Sequence, residues 1–504
     1  MKRMKRLASL MLAMILAVMM VMPVSADEPA AKNAGGYTIT ITDSMPKHIY
    51  EAYQIFAGDL LEEEEEGKVV HTLSNISWGS GVNEEGQMKL GGAAEKAESL
   101  TTTTEAMVFA KELEDYLQNP ITSVEKTGVY TISGLEAGYY LVKDQDNSLT
   151  NKDDSYTSYI LRVVADQNVT TKSDMSTVEK KVKDIDDSTS QHTTDWQDSA
   201  DYDIGDDVPF QLKAILANNV ESYETYKVVF HDTLSPGLTY NEESTVVKIE
   251  GVEQTRGFTI KIENNQLTVS CDNVKELGAT NGSDIIVEYT AKLNDNAVLG
   301  SQGNPNKVYL EYSNNPNNSM DGTETGMTKE DAVIVFTYKV VINKVDEKSK
   351  PLEGAVFTLE KLVKTDVSAA GTWKAIDAVE ANAENPTTFT FLGLDDGEYR
   401  LTETTTPSGY NTMEQVVFTV SASHDANETE PKLTVLSGDK VTGEIVFTAN
   451  VESGALEANV INYAGHVLPS TGGMGTTVFY AVGSVLVLGA VVVLITKKRM
   501  NAEK

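Results

Sequence analysis

Three polar side chains near the C-terminal end of the chain stand where strand periodicity calls for apolar ones. Lys344 falls in Val340-x-Ile342-x-Lys344, Glu403 in Tyr399-x-Leu401-x-Glu403 and Asn462 in Val460-x-Asn462. Side chains alternate between the two faces of a strand, so each of the three shares a face with apolar neighbours. If those faces point inward, a lysine, a glutamate and an asparagine are buried together. Burying unpaired charge is expensive, and desolvation lowers a lysine pKa while raising that of a carboxyl group. A neutral amine is a nucleophile. A protonated carboxyl can hydrogen-bond an asparagine amide and polarise its carbonyl. The chemistry open to the set is a Lys344–Asn462 isopeptide bond formed with loss of ammonia, Glu403 acting as the acid.

A second set repeats the logic with an aspartate. Val228, Phe230, Asp232 and Leu234 alternate on one face, and Asn306, Val308 and Leu310 do the same. Upstream, Val178, Lys180 and Val182 share a face, while Lys181 lies with Glu179 and Lys183. Periodicity favours Lys180 over Lys181 as the partner of Asn306, and leaves Lys181 as the alternative.

These motifs carry a resemblance. Pro351-Leu352-Glu353-Gly354-Ala355-Val356-Phe357 follows Lys344, and Glu403-Thr404-Thr405-Thr406-Pro407-Ser408-Gly409-Tyr410 is similar to the E-box of pilin and collagen-adhesin B-type (Cna-B) domains. The stretch from Gly205-Asp206-Asp207-Val208 to Asp232-Thr233-Leu234-Ser235-Pro236-Gly237-Leu238 resembles the middle domain of fimbrial shaft subunits. The resemblance implies cross-links Lys344–Asn462, assisted by Glu403, and Lys180–Asn306, assisted by Asp232.

The two ends of the chain are addresses. Lys2, Arg3, Lys5 and Arg6, an apolar run over 7–21 and Val24-Ser25-Ala26 read as a secretory signal peptide cleaved after Ala26. Leu468-Pro469-Ser470-Thr471-Gly472 is followed by an apolar stretch over 477–495 and by Lys497, Lys498 and Arg499. The stretch is long enough to span a bilayer as a helix, and the basic cluster is expected on the cytoplasmic side. This order resembles the sorting signal of sortase substrates in Gram-positive bacteria, in which a transpeptidase cuts between the residues matching Thr471 and Gly472. Shaft pilins also carry an acceptor lysine before the middle domain, commonly after proline. Lys172 stands there, in Val169-Thr170-Thr171-Lys172, with threonine in place of proline.

Composition sets limits on the rest. The chain has 41 basic and 75 acidic side chains, a net charge of −34, and the basic termini make the part between them more acidic still. Such a surface repels nucleic acid and anionic lipid. The single cysteine, Cys271, excludes a disulfide within one chain. The histidines are scattered, no zinc-type cluster is present, and no cofactor is implied. Asp201, Asp203, Asp206 and Asp207 form an acidic run read as a solvated loop rather than a metal site, and Glu62 to Glu66 reads the same way.

The positioning elements are strands. Short alternating segments rich in Val, Ile, Thr and Tyr recur at 37–42, 129–132, 226–230, 285–293, 333–342 and 416–420, the pattern of an all-β chain of tandem immunoglobulin-like sandwiches. One helix is expected over 105–118, with Thr103 or Thr104 as its cap. Roughly 440 residues lie between the processing signals, enough for about three domains. The division expected is a signal peptide over 1–26, an N-terminal pilin domain over 37–174, a middle domain over 175–325, a Cna-B-like domain over 330–466 and the sorting signal over 467–504. Gly393-Leu394-Asp395-Asp396-Gly397-Glu398-Tyr399 repeats the spacing of Gly134-Leu135-Glu136-Ala137-Gly138-Tyr139-Tyr140, which aligns Asp144 with Glu403. The opening strand of the first domain has no lysine at the place of Lys344, so no bond is expected there. No nucleophile–His–acid set is legible, which argues against a surface hydrolase. The reading is the shaft subunit of a wall-anchored pilus whose partners are sortases, further copies of itself and peptidoglycan, with minor pilins and a host ligand as further candidates; the alternative is a monomeric wall-anchored adhesin.

Overall fold

A computed structural model describes residues 36–42, 47–65, 68–149, 154–170, 175–188, 192–316, 324–364, 370–376, 385–465 and 474–500. The signal segment 1–26, Lys172 and the sorting motif Leu468 to Gly472 lie outside these residues.

The first unit is two facing sheets with three helices packed on one, Glu84–Leu90, Ala93–Ser99 and Thr103–Leu113, where the sequence leads one to expect a single helix; the two extra ones are only seven residues each, too short for helical periodicity to show. Tyr37–Thr42 runs antiparallel to Val129–Leu135 and parallel to Gln167–Thr170. The second sheet carries the long hairpin Tyr50–Glu65 and Lys68–Trp78 beside Gly138–Asp144 and Ser158–Val163. Helix Thr103–Leu113 buries Ala106, Phe109, Ala110 and Leu113 at helical spacing against the second sheet's core. Its cap is Thr102, one residue before the expected pair. The Thr102 side chain accepts from Glu105 N at 3.2 Å while the Glu105 carboxylate accepts from Thr102 N at 2.9 Å, a reciprocal box that places the cap three residues before the glutamate. The helix stops at Leu113 and tightens into a 3-10 turn over Glu114–Tyr116, earlier than Gln118.

The middle unit is a sandwich around one core. One sheet holds Thr177–Val182, Asp207–Ile215 and Asp284–Leu293; the other holds Val228–Leu234, Asn304–Ser313 and Asp331–Phe336. The boundary drawn at 330 is therefore too early. Val333 and Val335 pack in the middle core, and Asn306 is registered against Val333. The Asn- and Gly-rich stretch read as a linker precedes the last strand of that sheet rather than the next domain. The strand expected over 333–342 is accordingly two strands, parted at buried Thr337, which feed different cores.

In the third unit Tyr338–Asp346 lies between Thr388–Leu394 and Ala455–Asn462, parallel to the latter. The facing sheet holds Val356–Val363, Gly397–Thr405 and Val416–His424. The sequence repeat is a shared turn: Tyr399 donates to Asp395 O at 2.9 Å and Tyr140 to Glu136 O at 3.1 Å, each four residues back.

The middle and third units are stitched together by backbone. Asp198 N donates to Ala426 O at 2.7 Å, Ile204 N to Gly393 O at 2.9 Å and Gly300 N to Thr337 O at 3.0 Å. Gly300, at φ 77°, touches Gly454 so closely that a Cβ there would lie 2.3 Å from Gly454 N. The first and middle units meet at Asn314, whose carbonyl accepts from Tyr156 N at 3.0 Å and from Ser155 Oγ at 3.1 Å. Helix Met474–Met500 contains an apolar span of 20 residues, Phe479–Lys498, about 30 Å at 1.5 Å per residue and so long enough to cross a membrane.

Candidate functional site

Two buried clusters form where the alternating strand faces put lysine, acid and asparagine. In the third unit Lys344 and Asn462 lie on adjacent parallel strands of one sheet, with Lys344 registered on Val460 and Asn462 two residues on, so both face the core. Glu403 comes from the opposite sheet. Asn462 Nδ2 donates to Glu403 Oε1 at 2.8 Å, and the other carboxylate oxygen accepts from Met413 N at 2.9 Å. Lys344 Nζ donates to Val460 O at 3.0 Å and Val345 O at 3.3 Å. Burial lowers the Lys344 amine to about 8, against the opposing pull of the Glu403 charge, so neutral amine is available near neutral pH.

In the middle unit the bridge runs between sheets. Lys180 comes from one sheet and Asp232 and Asn306 from the other. Lys180 Nζ lies 2.7 and 2.8 Å from the two oxygens of Asp232. Burial pushes the Lys180 amine down and the Asp232 carboxyl up, each opposed by its partner's charge, so the two draw toward a shared proton. Lys181 leaves the core and pairs with Asp198 at 2.6 Å and Glu179 at 3.1 Å. It is Lys180 that reaches the acid. Sequence reasoning missed Tyr289. Its hydroxyl accepts from Asn306 Nδ2 at 2.8 Å, lies 3.1 Å from Lys180 Nζ and donates to Asp232. The signal was there in Ile285-x-Val287-x-Tyr289-x-Ala291, a polar tip on a buried strand face. Asp232 makes no hydrogen bond to Asn306 among the described residues.

In both clusters the asparagine carbonyl oxygen, Asn306 Oδ1 or Asn462 Oδ1, is buried without a hydrogen-bond partner among the described residues. Such an acceptor costs about 1–3 kcal/mol, so both amides sit in an unfavourable ground state. As placed, each amide turns its nitrogen toward its acid or tyrosine, whereas the sequence suggested a polarised carbonyl.

Other buried lysines show the contrast. Lys361 has Asp203 at 2.6 Å, Asp187 at 2.7 Å and Asp395 at 3.2 Å, and although burial opposes its charge, Asp395 and its neighbours hold the amine protonated. Lys143, 2.6 Å from Glu114, is likewise held above its ordinary value. In the first unit Asp144, the counterpart of Glu403, is engaged by His48 at 2.7 Å and by Thr157 N at 2.7 Å.

The acidic run at Asp201 is solvated only at its far end, where Asp207 is exposed and Asp206 half-buried. Asp201 is buried and Asp203 largely so, because the loop packs on the third unit and answers Lys361 and His424 there. A serine–histidine–acid arrangement that the sequence hid also sits at this interface: Ser199 Oγ is 2.7 Å from His424 Nδ1, and His424 Nε2 is 3.5 Å from Asp201 and 3.7 Å from Asp184. It is a staple rather than a nucleophile. Burial works against the imidazolium, but Asp184 and Asp201 outweigh it and hold His424 at about 10, so it cannot take a serine proton; Ser199 is fully buried and donates to Asp425 O at 3.1 Å.

The same interface predicts a pH dependence. Burial, reinforced by neighbouring carboxylates, raises Asp396 to about 8 and Asp184 and Asp206 to about 6. Folded, these acids hold protons that the unfolded chain releases near pH 4. The stability they contribute is full below that pH and falls progressively above it, until the pH has passed 6 for Asp184 and Asp206 and 8 for Asp396. Hydrogen exchange at the Asp198 and Ile204 amides, corrected for intrinsic rate, is expected to be at least about tenfold faster at pH 9 than at pH 6. Equal protection at both would remove the interface charge from the account.

Comparison with known proteins gives this geometry a context. Residues 204–316 match the family of Gram-positive pilin backbone subunit 2, Cna-B-like domains; 338–433 match a prealbumin-like fold domain; and 461–502 match the LPXTG cell wall anchor motif. The trypsin-resistant surface T6 protein of Streptococcus pyogenes serotype M6 is 28% identical over 425 residues, 70% of this chain and 74% of that one. The solved T6 backbone pilin of the same serotype, described as a modular three-domain structure, overlays with a TM-score of 0.54 at 18% identity, covering 85% of this chain and 99% of that one. The chain is similar to the Gram-positive backbone pilins, with the family match over its middle unit and the LPXTG anchor at its end. As a backbone pilin it is a structural, wall-anchored surface subunit of a sortase-assembled pilus. The apolar helix after the anchor motif suits a transient hold of this pilin in the membrane before sorting.

Proposed function

We propose that this pilin is joined head to tail into a covalent shaft and that each copy carries two self-made cross-links, Lys180–Asn306 and Lys344–Asn462. The observation that carries the reading is the recurrence, in two units with different sheet geometry, of a buried lysine pushed toward its neutral form beside a buried acid and a buried asparagine. In each, the amine attacks the asparagine Cγ, the Cγ–Nδ2 bond breaks, and the acid, Asp232 or Glu403, moves the protons that let ammonia leave. The chain is then its own catalyst, once, and turns over no external substrate. The relative is called trypsin-resistant, and the same property is proposed here, because a cross-link keeps a locally opened domain from extending into a protease.

At the sorting motif, a sortase would cut between Thr471 and Gly472 of Leu468-Pro469-Ser470-Thr471-Gly472 and pass the Thr471 carbonyl to Lys172 of the next copy, the last copy going to peptidoglycan. Minor pilins and a host ligand are proposed as further partners of the shaft. Intact mass of the mature chain tests the cross-links: a deficit of two ammonia molecules against the sequence mass is expected, with peptide mapping joining Lys180 to Asn306 and Lys344 to Asn462. A mass equal to the sequence mass would end the proposal.

A further inference from the structure

The two clusters do not route protons the same way. At the third unit the acid holds the amide itself, Glu403 Oε1 to Asn462 Nδ2 at 2.8 Å. In the middle unit both oxygens of Asp232 are turned to Lys180, and the amide nitrogen of Asn306 is held by the Tyr289 hydroxyl. The hydroxyl touches both nitrogens that react: the attacking one at 3.1 Å and the departing one at 2.8 Å. It also donates to the acid. The tyrosine is fixed in this position. It is 2% exposed, its strand is paired on both sides, and its ring stacks on Phe210 at 5.4 Å and meets Tyr240 edge-on at 5.8 Å.

Resting on the cross-linking reading above, we propose that Tyr289 is a catalytic residue of the middle unit, the group that hands the departing ammonia its proton and takes a replacement from Asp232. The sequence of steps balances. Lys180 first passes one proton to Asp232. Its lone pair then attacks Asn306 Cγ, and the carbonyl pair moves onto Oδ1. As that pair returns, the Cγ–Nδ2 bond breaks with its electrons on Nδ2, which takes the Tyr289 proton while Tyr289 takes the proton from Asp232. The new amide nitrogen gives its surplus proton to Asp232, and ammonia carries that proton away as ammonium. Asp232 and Tyr289 end as they began. Burial, reinforced by the charge of Asp232, keeps Tyr289 protonated, as a donor must be. In the ground state the amide nitrogen donates to the hydroxyl. Only after attack does that nitrogen gain a lone pair able to accept, so the hydroxyl's donation is confined to the transition state, where it accelerates the reaction.

The full mature chain is made by cell-free translation and sampled over time, and both cross-linked peptides are quantified by mass spectrometry. In Tyr289→Phe, which keeps the ring and its stacking, the Lys180–Asn306 bond is expected to form at least about a hundredfold more slowly, while Lys344–Asn462 forms at the wild-type rate in the same molecules. With 3-fluorotyrosine at 289 the hydroxyl is kept but made more acidic, so the bond forms and its pH–rate profile moves to lower pH, a shift that a merely structural hydroxyl would not produce. A wild-type rate in Tyr289→Phe, or a fluorotyrosine profile that superimposes on wild type, overturns the assignment. Absence of the Lys180–Asn306 bond from the wild-type chain would instead overturn the cross-linking reading on which it stands.

Discussion

Glu403→Ala is expected to yield a chain short of its own sequence mass by one ammonia rather than two, with Lys344 and Asn462 recovered on separate peptides. The substitution removes the hydrogen-bond acceptor of the Asn462 amide nitrogen and the nearby charge that opposes burial at Lys344. The amine stays nucleophilic, but nothing is left to move the leaving group's proton. The effect on stability is large because the lost bond ties the first strand of its sheet to the last. In the chain-entropy treatment of a cross-link, closing a loop of that length contributes about 4–5 kcal/mol. An unpartnered buried amide adds about 1–3 kcal/mol of cost. Asp232→Ala is expected to remove the other bond and to be harsher on the fold, since Lys180 is left fully buried without its carboxylate, a loss of about 3–5 kcal/mol. Calorimetry and timed trypsin digestion of the two variants would read these losses, each confined to its own unit. Bonds that still formed in the variants would give the acids another role.

In a strain carrying the matching sortase, Lys172→Ala is expected to collapse the high-mass ladder of wall extracts to single subunits. An acceptor must present a free amine to an outside enzyme, and most lysines near the junction fail that test. Lys180 and Lys344 are fully buried. Lys181 is held by Asp198 and Glu179, and Lys183 lies over the Trp196 ring at 4.7 Å. In the sequence Lys172 falls between the strands Gln167–Thr170 and Thr177–Val182, in a polar stretch. Joining Thr471 of one copy to a lysine at that junction of the next is a heterologous contact that does not close on itself, and its repetition makes a filament. The strong negative charge keeps such filaments apart. An unchanged ladder in the variant would point to another lysine. A single band from the wild type would favour the monomeric adhesin.

What the sequence determined by itself is what depends on near neighbours. Strand periodicity alone placed Lys180, Asp232, Asn306, Lys344, Glu403 and Asn462 on buried faces, because a one-residue slip would turn every side chain of a strand to the other side. Wherever the alternation was regular the strands were legible, as at Tyr37–Thr42 and Asp284–Leu293. The anchor and its apolar span were legible because a membrane reads local composition. Tertiary structure decided what depends on elements distant in the chain. Tyr289 joins the middle cluster because its strand faces Asp232 and Asn306 across a sandwich, a relation no spacing encodes. The run at Asp201 was read as solvated because its charges are visible in sequence while the surface that buries them, with Lys361, Asp395 and His424, arrives some 160 to 220 residues later. The edge of the middle unit was misplaced for the same reason. A polar, glycine-rich stretch marks a loop, but only the hydrogen bonds of Asp331–Phe336 with Asn304–Ser313 tell which core the chain enters after it.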